Sequence, residues 1–242
     1  MQYGGEERRW SFCDVPELDS RGLKTRGRVK GSLKSNVEYL DHLLSRIIRA
    51  LDDLGIRDNT ILMFCGDNGT PGYGKNKLET EVGPHVPFVV SCRGLVKKAG
   101  ASDILIDFSD VLPTLIELAR WALPRNYQID GRSFAPLLLG RTFTPREWIF
   151  CQLHEARWVR DRRWLLDGYG RFWDCGDSRE EWKGYSDVTL SEDPEAIAAR
   201  KRFEEISKPF PTPDLNHPET AARWRTFFTT HKRLSVYRPP YL

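Results

Sequence analysis

The chain has 242 residues, of which 37 are Lys or Arg and 34 are Asp or Glu, leaving a formal net charge of +3. It is 40% hydrophobic and 12% aromatic with eight Trp, enough for a packed core and unlike a disordered chain. The balanced charge gives no footprint for nucleic acid, and no stretch approaches the ~20 apolar residues of a membrane span.

In chain order, residues 1–34 are rich in Gly and Arg, have no period and read as extended or loop; Met1 to Arg8 holds no apolar segment of a signal peptide. Val37, Leu40, Leu44, Ile47, Ile48 and Leu51 recur at helical spacing and predict an amphipathic helix over 35–54. Ser35 with Glu38 makes a capping box at its start, and Gly55 ends it. Asp58-Asn59 turns the chain into a strand at 60–65, and 87–92 is a second short apolar strand. Asp107 to Asp110 precedes a helix from Val111 to Ala119, with Pro113 in a first turn that needs no N–H from it.

The order helix, strand, loop, strand, helix predicts part of a wound α/β sheet. After about residue 140 the pattern changes. Trp148–Leu153, Arg157–Arg160, Arg163–Leu166 and Arg171–Asp174 read as an antiparallel meander. Pro194 opens a helix over 195–207, in which Ile197, Phe203 and Ile206 are expected to face that meander. The tail from Pro209 carries six prolines and is expected to be mostly irregular, with a short helix around 219–231. The expected organisation is an α/β domain over 1–140, an antiparallel subdomain with its helix over 141–208, and a Pro-rich tail over 209–242.

The five cysteines, Cys13, Cys65, Cys92, Cys151 and Cys175, are odd in number and widely spaced, so neither a disulfide framework nor a zinc site is expected. Cys65, Cys92 and Cys151 lie in apolar runs, where a thiol behaves as a small buried hydrophobe.

The stretch richest in chemistry follows Ile61-Leu62-Met63-Phe64-Cys65. It runs Gly66-Asp67-Asn68-Gly69, then Gly72-Tyr73-Gly74-Lys75, then Gly83-Pro84-His85-Val86-Pro87. Ligands of open α/β sheets bind at the carboxyl ends of strands. Asp67 and Asn68 offer oxygens to a hard cation, Ca²⁺ or Mg²⁺, and Lys75 offers a point charge to an anion. The bland alternatives stay open: Asp-Asn-Gly after a strand is also a turn signature, and a lone lysine is also a solvated one. His85, His154 and Glu155 could border a pocket or simply face solvent. His217 and His231 carry no signal.

Several marks together resemble the second half of the sulfatase family, in the alkaline phosphatase superfamily. Asn36-Val37-Glu38-Tyr39-Leu40-Asp41 with Leu51-Asp52-Asp53-Leu54-Gly55 is similar to the helix before the family's metal strand. Asp58-Asn59-Thr60-Ile61 and Asp67-Asn68-Gly69 are similar to that strand and its metal-binding end. Glu81-x-Gly83-x-His85-Val86-Pro87 follows the family's Glu-Gly-Gly-x-Arg-Val-Pro, with His in place of the commoner Arg. Asp107-x-x-x-Val111-Leu112-Pro113-Thr114-Leu115 resembles the next helix, and Asp130-Gly131-Arg132-Ser133-Phe134-x-Pro136-Leu137-Leu138 the segment closing the main domain. Phe172-Trp173-Asp174 and Asp193-Pro194-Glu195 resemble the small C-terminal subdomain.

The resemblance implies an alkaline-phosphatase-like mixed sheet with flanking helices, followed by a small antiparallel sheet and helix. It implies Ca²⁺ (or Mg²⁺) with Asp67 and Asn68 among its ligands, and Lys75 or Lys77 together with His85 on the sulfate side. The implied substrate is a sulfate ester or similar anionic small molecule or glycan; phosphoesters and phosphonates are neighbouring substrates.

The family's formylglycine forms in Cys/Ser-x-Pro-x-Arg, and that motif does not occur here. Cys13-Asp14-Val15-Pro16-Glu17 has its proline one place late and no arginine. The acidic pair that completes the metal site is also absent. The expectation is therefore a sulfatase-lineage chain without its nucleophile, inactive alone; a separate chain carrying the N-terminal half, or an anion-binding role without catalysis, are the rival expectations. Intact relatives are often exported, and this sequence fixes no location.

Overall fold

The computed structural model describes residues 12–69, 83–97, 100–153, 156–177, 184–210 and 222. The chain divides into two compact units. The first holds most of 1–97, the second holds 98–242 together with 67–69 and 74–86.

In the first unit, β1 (Val15–Leu18) and β2 (Lys24–Val29) form an antiparallel hairpin within residues expected to be extended or loop. Its turn is fixed by Asp19, whose carboxylate accepts from the backbone of Arg21 and Leu23, both at 2.9 Å. Those bonds, that from Leu23 foremost, hold the Asp19 carboxyl below its ordinary value. Gly22 supplies the positive φ, +74°, that closes the turn.

Helix α1 (Leu33–Asp53) begins two residues before the expected start. Ser32 is its N-cap, and the reciprocal box partner is Ser35 rather than Glu38. Its end follows expectation, since Gly55 takes φ +68° beyond the cap at Leu54. Of its side chains only Ser35 and His42 are buried, while Val37, Leu40, Leu43 and Ile47 are between 37% and 55% exposed. Strands β3 (Leu62–Cys65) and β4 (Phe88–Ser91) pair antiparallel, from Leu62 opposite Ser91 to Cys65 opposite Phe88. Arg93 donates to Asp52 at 2.9 Å and to Asp58 at 2.8 Å, tying the end of α1 to the 3-10 turn at Arg57–Asn59 that leads into β3.

In the second unit, Asp107 and Asp110 make a reciprocal cap that starts a 3-10 turn, which continues as α2 (Val111–Leu118). Pro113 sits in the first turn of α2, as expected. A short helix, α3 (Ala135–Leu138), follows. Gly131 is required here, because a Cβ would lie 1.9 Å from the Ser109 carbonyl oxygen. That close approach brings the Arg132 N–H to the Asp110 carboxylate, 2.6 Å away.

The meander is present with five strands instead of four, paired in chain order: β5 (Ile149–Leu153), β6 (Ala156–Arg160), β7 (Trp164–Asp167), β8 (Phe172–Asp174) and β9 (Ser186–Asp187). Helix α4 (Pro194–Ser207), capped by Asp193, packs on one face of that sheet. Val159, Trp164, Leu166, Phe172, Ala196 and Phe203 form the core there, and Ile206 joins its margin. Ile197 does not, being 52% exposed; its neighbour Ala196 occupies the inward position. Complete burial of one side chain such as Phe203 contributes roughly 1.5–3 kcal/mol.

Candidate functional site

The candidate residues lie just past β3. Gly66 donates to the Pro87 carbonyl at 3.1 Å, one step beyond the β3–β4 ladder. Asp67 and Asn68 follow in a bend, both exposed, and the Asn68 N–H donates to Asp67 Oδ1 at 2.9 Å. Gly69 N–H then donates to the Gly83 carbonyl at 2.7 Å, and His85 is exposed. Lys75, Lys77, His154, Glu155, His217 and His231 lie outside the described residues, as does the expected helix at 219–231 apart from Ala222.

The donor chemistry of Asp67 and Asn68 suits a hard cation, but the number does not. Ca²⁺ takes 6–8 oxygens, and among the described residues no three His, Cys, Asp or Glu stand together as a metal site. One Asp67 oxygen is already engaged by the backbone. Among the described residues, Asp67 and Asn68 thus supply fewer oxygens than a hard cation takes.

The thiols offer no nucleophile in a catalytic setting. Cys65, expected to be buried, is exposed at the last pair of the two-stranded β3–β4 ladder. Cys13 is also exposed, Cys92 and Cys175 are buried, and the Cys151 thiol is pushed up to about 12 by burial and then by the charge of Asp107.

A cavity of about 430 Å³ opens in the second unit where β6 and β7 meet the end of α4, with Phe150, Val159 and Leu166 among its apolar walls. Its charged groups are spent internally. Arg200 donates to Glu204 and to the carbonyls of Thr189 and Gly170, Lys208 pairs with Glu205 at 2.6 Å, and Asp167 pairs with Arg171. Among the described residues the cavity's charged groups thus face one another and backbone carbonyls.

A buried pair passed over by the sequence reading is Asp110 with Arg146. Asp110 accepts from the Asp107 and Arg132 N–H groups and from two nitrogens of the Arg146 guanidinium. The Asp107-x-x-Asp110 spacing ahead of a helix signalled the cap; the arginine comes from 36 residues away and had no local signal.

Comparison with known proteins adds a family. Residues 14–120 match the sulfatase family model. The chain is 27% identical over 165 residues to an ulvan-active sulfatase of Formosa agariphila, covering 64% of this chain and 31% of that protein. It is 30% identical over 152 residues to an N-acetylgalactosamine-6-O-sulfatase of Bacteroides thetaiotaomicron, covering 54% of this chain and 28% of the relative. A solved structure in complex with its substrate D-glucosamine-2-N,6-O-disulfate superposes with TM-score 0.54 at 18% identity, over 72% of this chain and 38% of the other. Another, a sulfatase of Bacteroides thetaiotaomicron glycosaminoglycan metabolism, gives 0.54 at 21% identity, over 70% and 42%. At these identities the structural likeness shows the fold. The chain spans roughly a third or less of the length of the curated relatives it matches.

Proposed function

Because residues 14–120 are sulfatase-family sequence, we propose that the chain is the nucleophile-less portion of a sulfate-ester hydrolase, inactive until it is joined to polypeptide carrying the formylglycine. The observation that carries this reading is the open face of α1. A helix of 21 residues with a regular apolar stripe buries only Ser35 and His42 and leaves Leu33, Val37, Leu40, Leu43 and Ile47 to solvent. Helices with such stripes are stabilised chiefly by packing that stripe. The β3–β4 ladder has the same character: Leu62, Met63, Phe64, Val89 and Val90 make continuous apolar runs, the pattern of strands covered on both faces.

In the joined enzyme, Asp67 and Asn68 would contribute two oxygens to a Ca²⁺ or Mg²⁺ site, and Lys75 or Lys77 with His85 would face the sulfuryl group. The cation would offset charge developing on that group as the ester bond breaks. The chain's own part would be positional: the bend after Gly66 would supply two oxygen donors from consecutive residues, and the lysine would supply positive charge to the sulfuryl group. The substrate class proposed is a sulfated glycan or smaller sulfate ester, in line with the ulvan and the sulfated amino sugars named for its relatives.

The test begins with the intact mass of the native protein, captured from its source through this segment. A mass well above 28.0 kDa, with an upstream peptide carrying formylglycine, supports the reading. A native mass of 28.0 kDa with sulfate release by the isolated chain overturns it. A native mass of 28.0 kDa with no release by that chain, but release once a chain bearing formylglycine is added, supports the split-subunit form that the open α1 face favours.

A further inference from the structure

We propose that the β1–β2 hairpin is a binding surface for a linear sulfated polysaccharide. β2 and the residue after it place Lys24, Arg26, Arg28 and Lys30 at every second position. Lys24 and Arg28 stand opposite Leu18 and Pro16 and so share a face, and between them, where the register shifts, Thr25 and Gly27 lie against the Glu17 carboxylate and Arg26 is the residue between. All four are exposed, so the hairpin and the residue after it carry a row of four solvent-facing cations along the chain.

The neighbouring acids do not neutralise that row. Glu17 accepts from Thr25 Oγ1 at 2.7 Å, on the face of the odd-numbered residues. Asp14 accepts from the Gly31 N–H at 2.8 Å, and Asp19 pairs with Arg21 at 3.0 Å. Lys34 pairs with Glu38 and is left out of the row. Among the described residues none of the four is in an ion pair. The Arg28 guanidinium donates to the Asp14 carbonyl, which orients it without cancelling its charge.

The arrangement selects the kind of ligand. The cations stand in a line and do not converge on one point, so a small anion would meet one of them at a time, worth about 0–1 kcal/mol at the surface. A linear polyanion meets all of them and gains by releasing its condensed counterions. Single-stranded nucleic acid would also need aromatic rings interleaved with the cations for its bases. The residues between are Thr25, Gly27 and Val29, and the nearby Tyr39 ring lies under the Lys24 ammonium, 5.5 Å away. A polysaccharide needs no stacking partner at every unit. The choice of a sulfated one rests on the sulfate-ester reading above; the row of charge does not depend on it. The surface would bind a polymer without hydrolysing it.

The experiment measures binding of the full chain to heparin across a salt series, with single-stranded DNA and desulfated heparin as comparison ligands. The variant K24S/R26S/R28S/K30S is set against R46S/K97S/R125S/K201S, which removes four exposed charges elsewhere; circular dichroism verifies both folds. The expected result is at least tenfold weaker heparin binding in the hairpin variant near 50 mM salt, with the slope of log affinity against log salt reduced by about 3, at 0.7–0.9 per contact. The second variant should retain most of both.

Equal losses in the two variants, or no wild-type binding at low salt, would overturn the surface. DNA or desulfated heparin binding as tightly as heparin would overturn the sulfated class. Absence of sulfate release by the joined enzyme, with heparin binding intact, would count against the sulfatase reading and leave the hairpin standing.

Discussion

Asp110 accepts four hydrogen bonds while 2% exposed, and its arginine partner is nearly as buried. Removing one member of such a pair strands the other, at a cost of about 3–5 kcal/mol. Asp110→Asn is expected to lower the unfolding free energy measured by urea titration by that amount, and the double variant D110N/R146M to recover part of it; a loss under 1 kcal/mol would mean the pair is solvated. The thiols give a second check at this scale. Cys13 and Cys65 should label with a disulfide reagent in the native chain at pH 8, while Cys92, Cys151 and Cys175 label only on unfolding, Cys151 being held as thiol by burial. A third concerns acid. Arg163 holds the Asp174 carboxyl below its ordinary value. The stability this pair contributes is present above the unfolded value of about 3.9 and is lost as pH falls through the lower folded one. Wild type and Arg163→Gln should therefore differ at pH 6 and converge in strong acid, by a small amount because Arg163 is half exposed.

At the scale of elements, α1 was legible from its apolar periodicity, and α2 and α4 from the prolines in their first turns. The hairpin was not. Its strand Lys-Thr-Arg-Gly-Arg-Val alternates charge with small residues, so no apolar alternation marks it, and the turn chemistry of Asp19 and Gly22 was the only available sign. The start of α1 was displaced because Ser32 and Ser35 can cap each other, a closer match than Ser35 with Glu38. Ile197 was misplaced since several phases fit a helix with few apolar residues, and the sheet accepted the smaller Ala196. Asp67 and Asn68 were legible as a bend, whereas nothing local encodes the remaining donors a cation needs. Phe203, fully buried between α4 and the sheet, should cost about 3–5 kcal/mol on truncation to Ala, read from chemical denaturation. The α1 stripe should behave oppositely. Val37→Lys with Ile47→Lys is expected to leave the isolated chain's stability within about 0.5 kcal/mol while reducing its self-association in sedimentation. A large loss of stability would show that the stripe is already packed.

For the whole molecule, the family segment at 14–120 ends before the meander, which carries the better-packed core. In that meander each strand pairs with the strand next to it in sequence, from β5 to β9, and α4 returns directly onto β6 and β7. The connections from β5 to β8 are two to four residues long, and only that from β8 to β9 is longer, so little chain entropy is spent before most of these contacts form. Residues from about 100 to 210 should therefore fold as an early and self-sufficient module. Proteolysis under mild denaturant should leave that stretch as the lasting fragment, and a chain emerging from the ribosome would complete it without waiting for whatever covers α1.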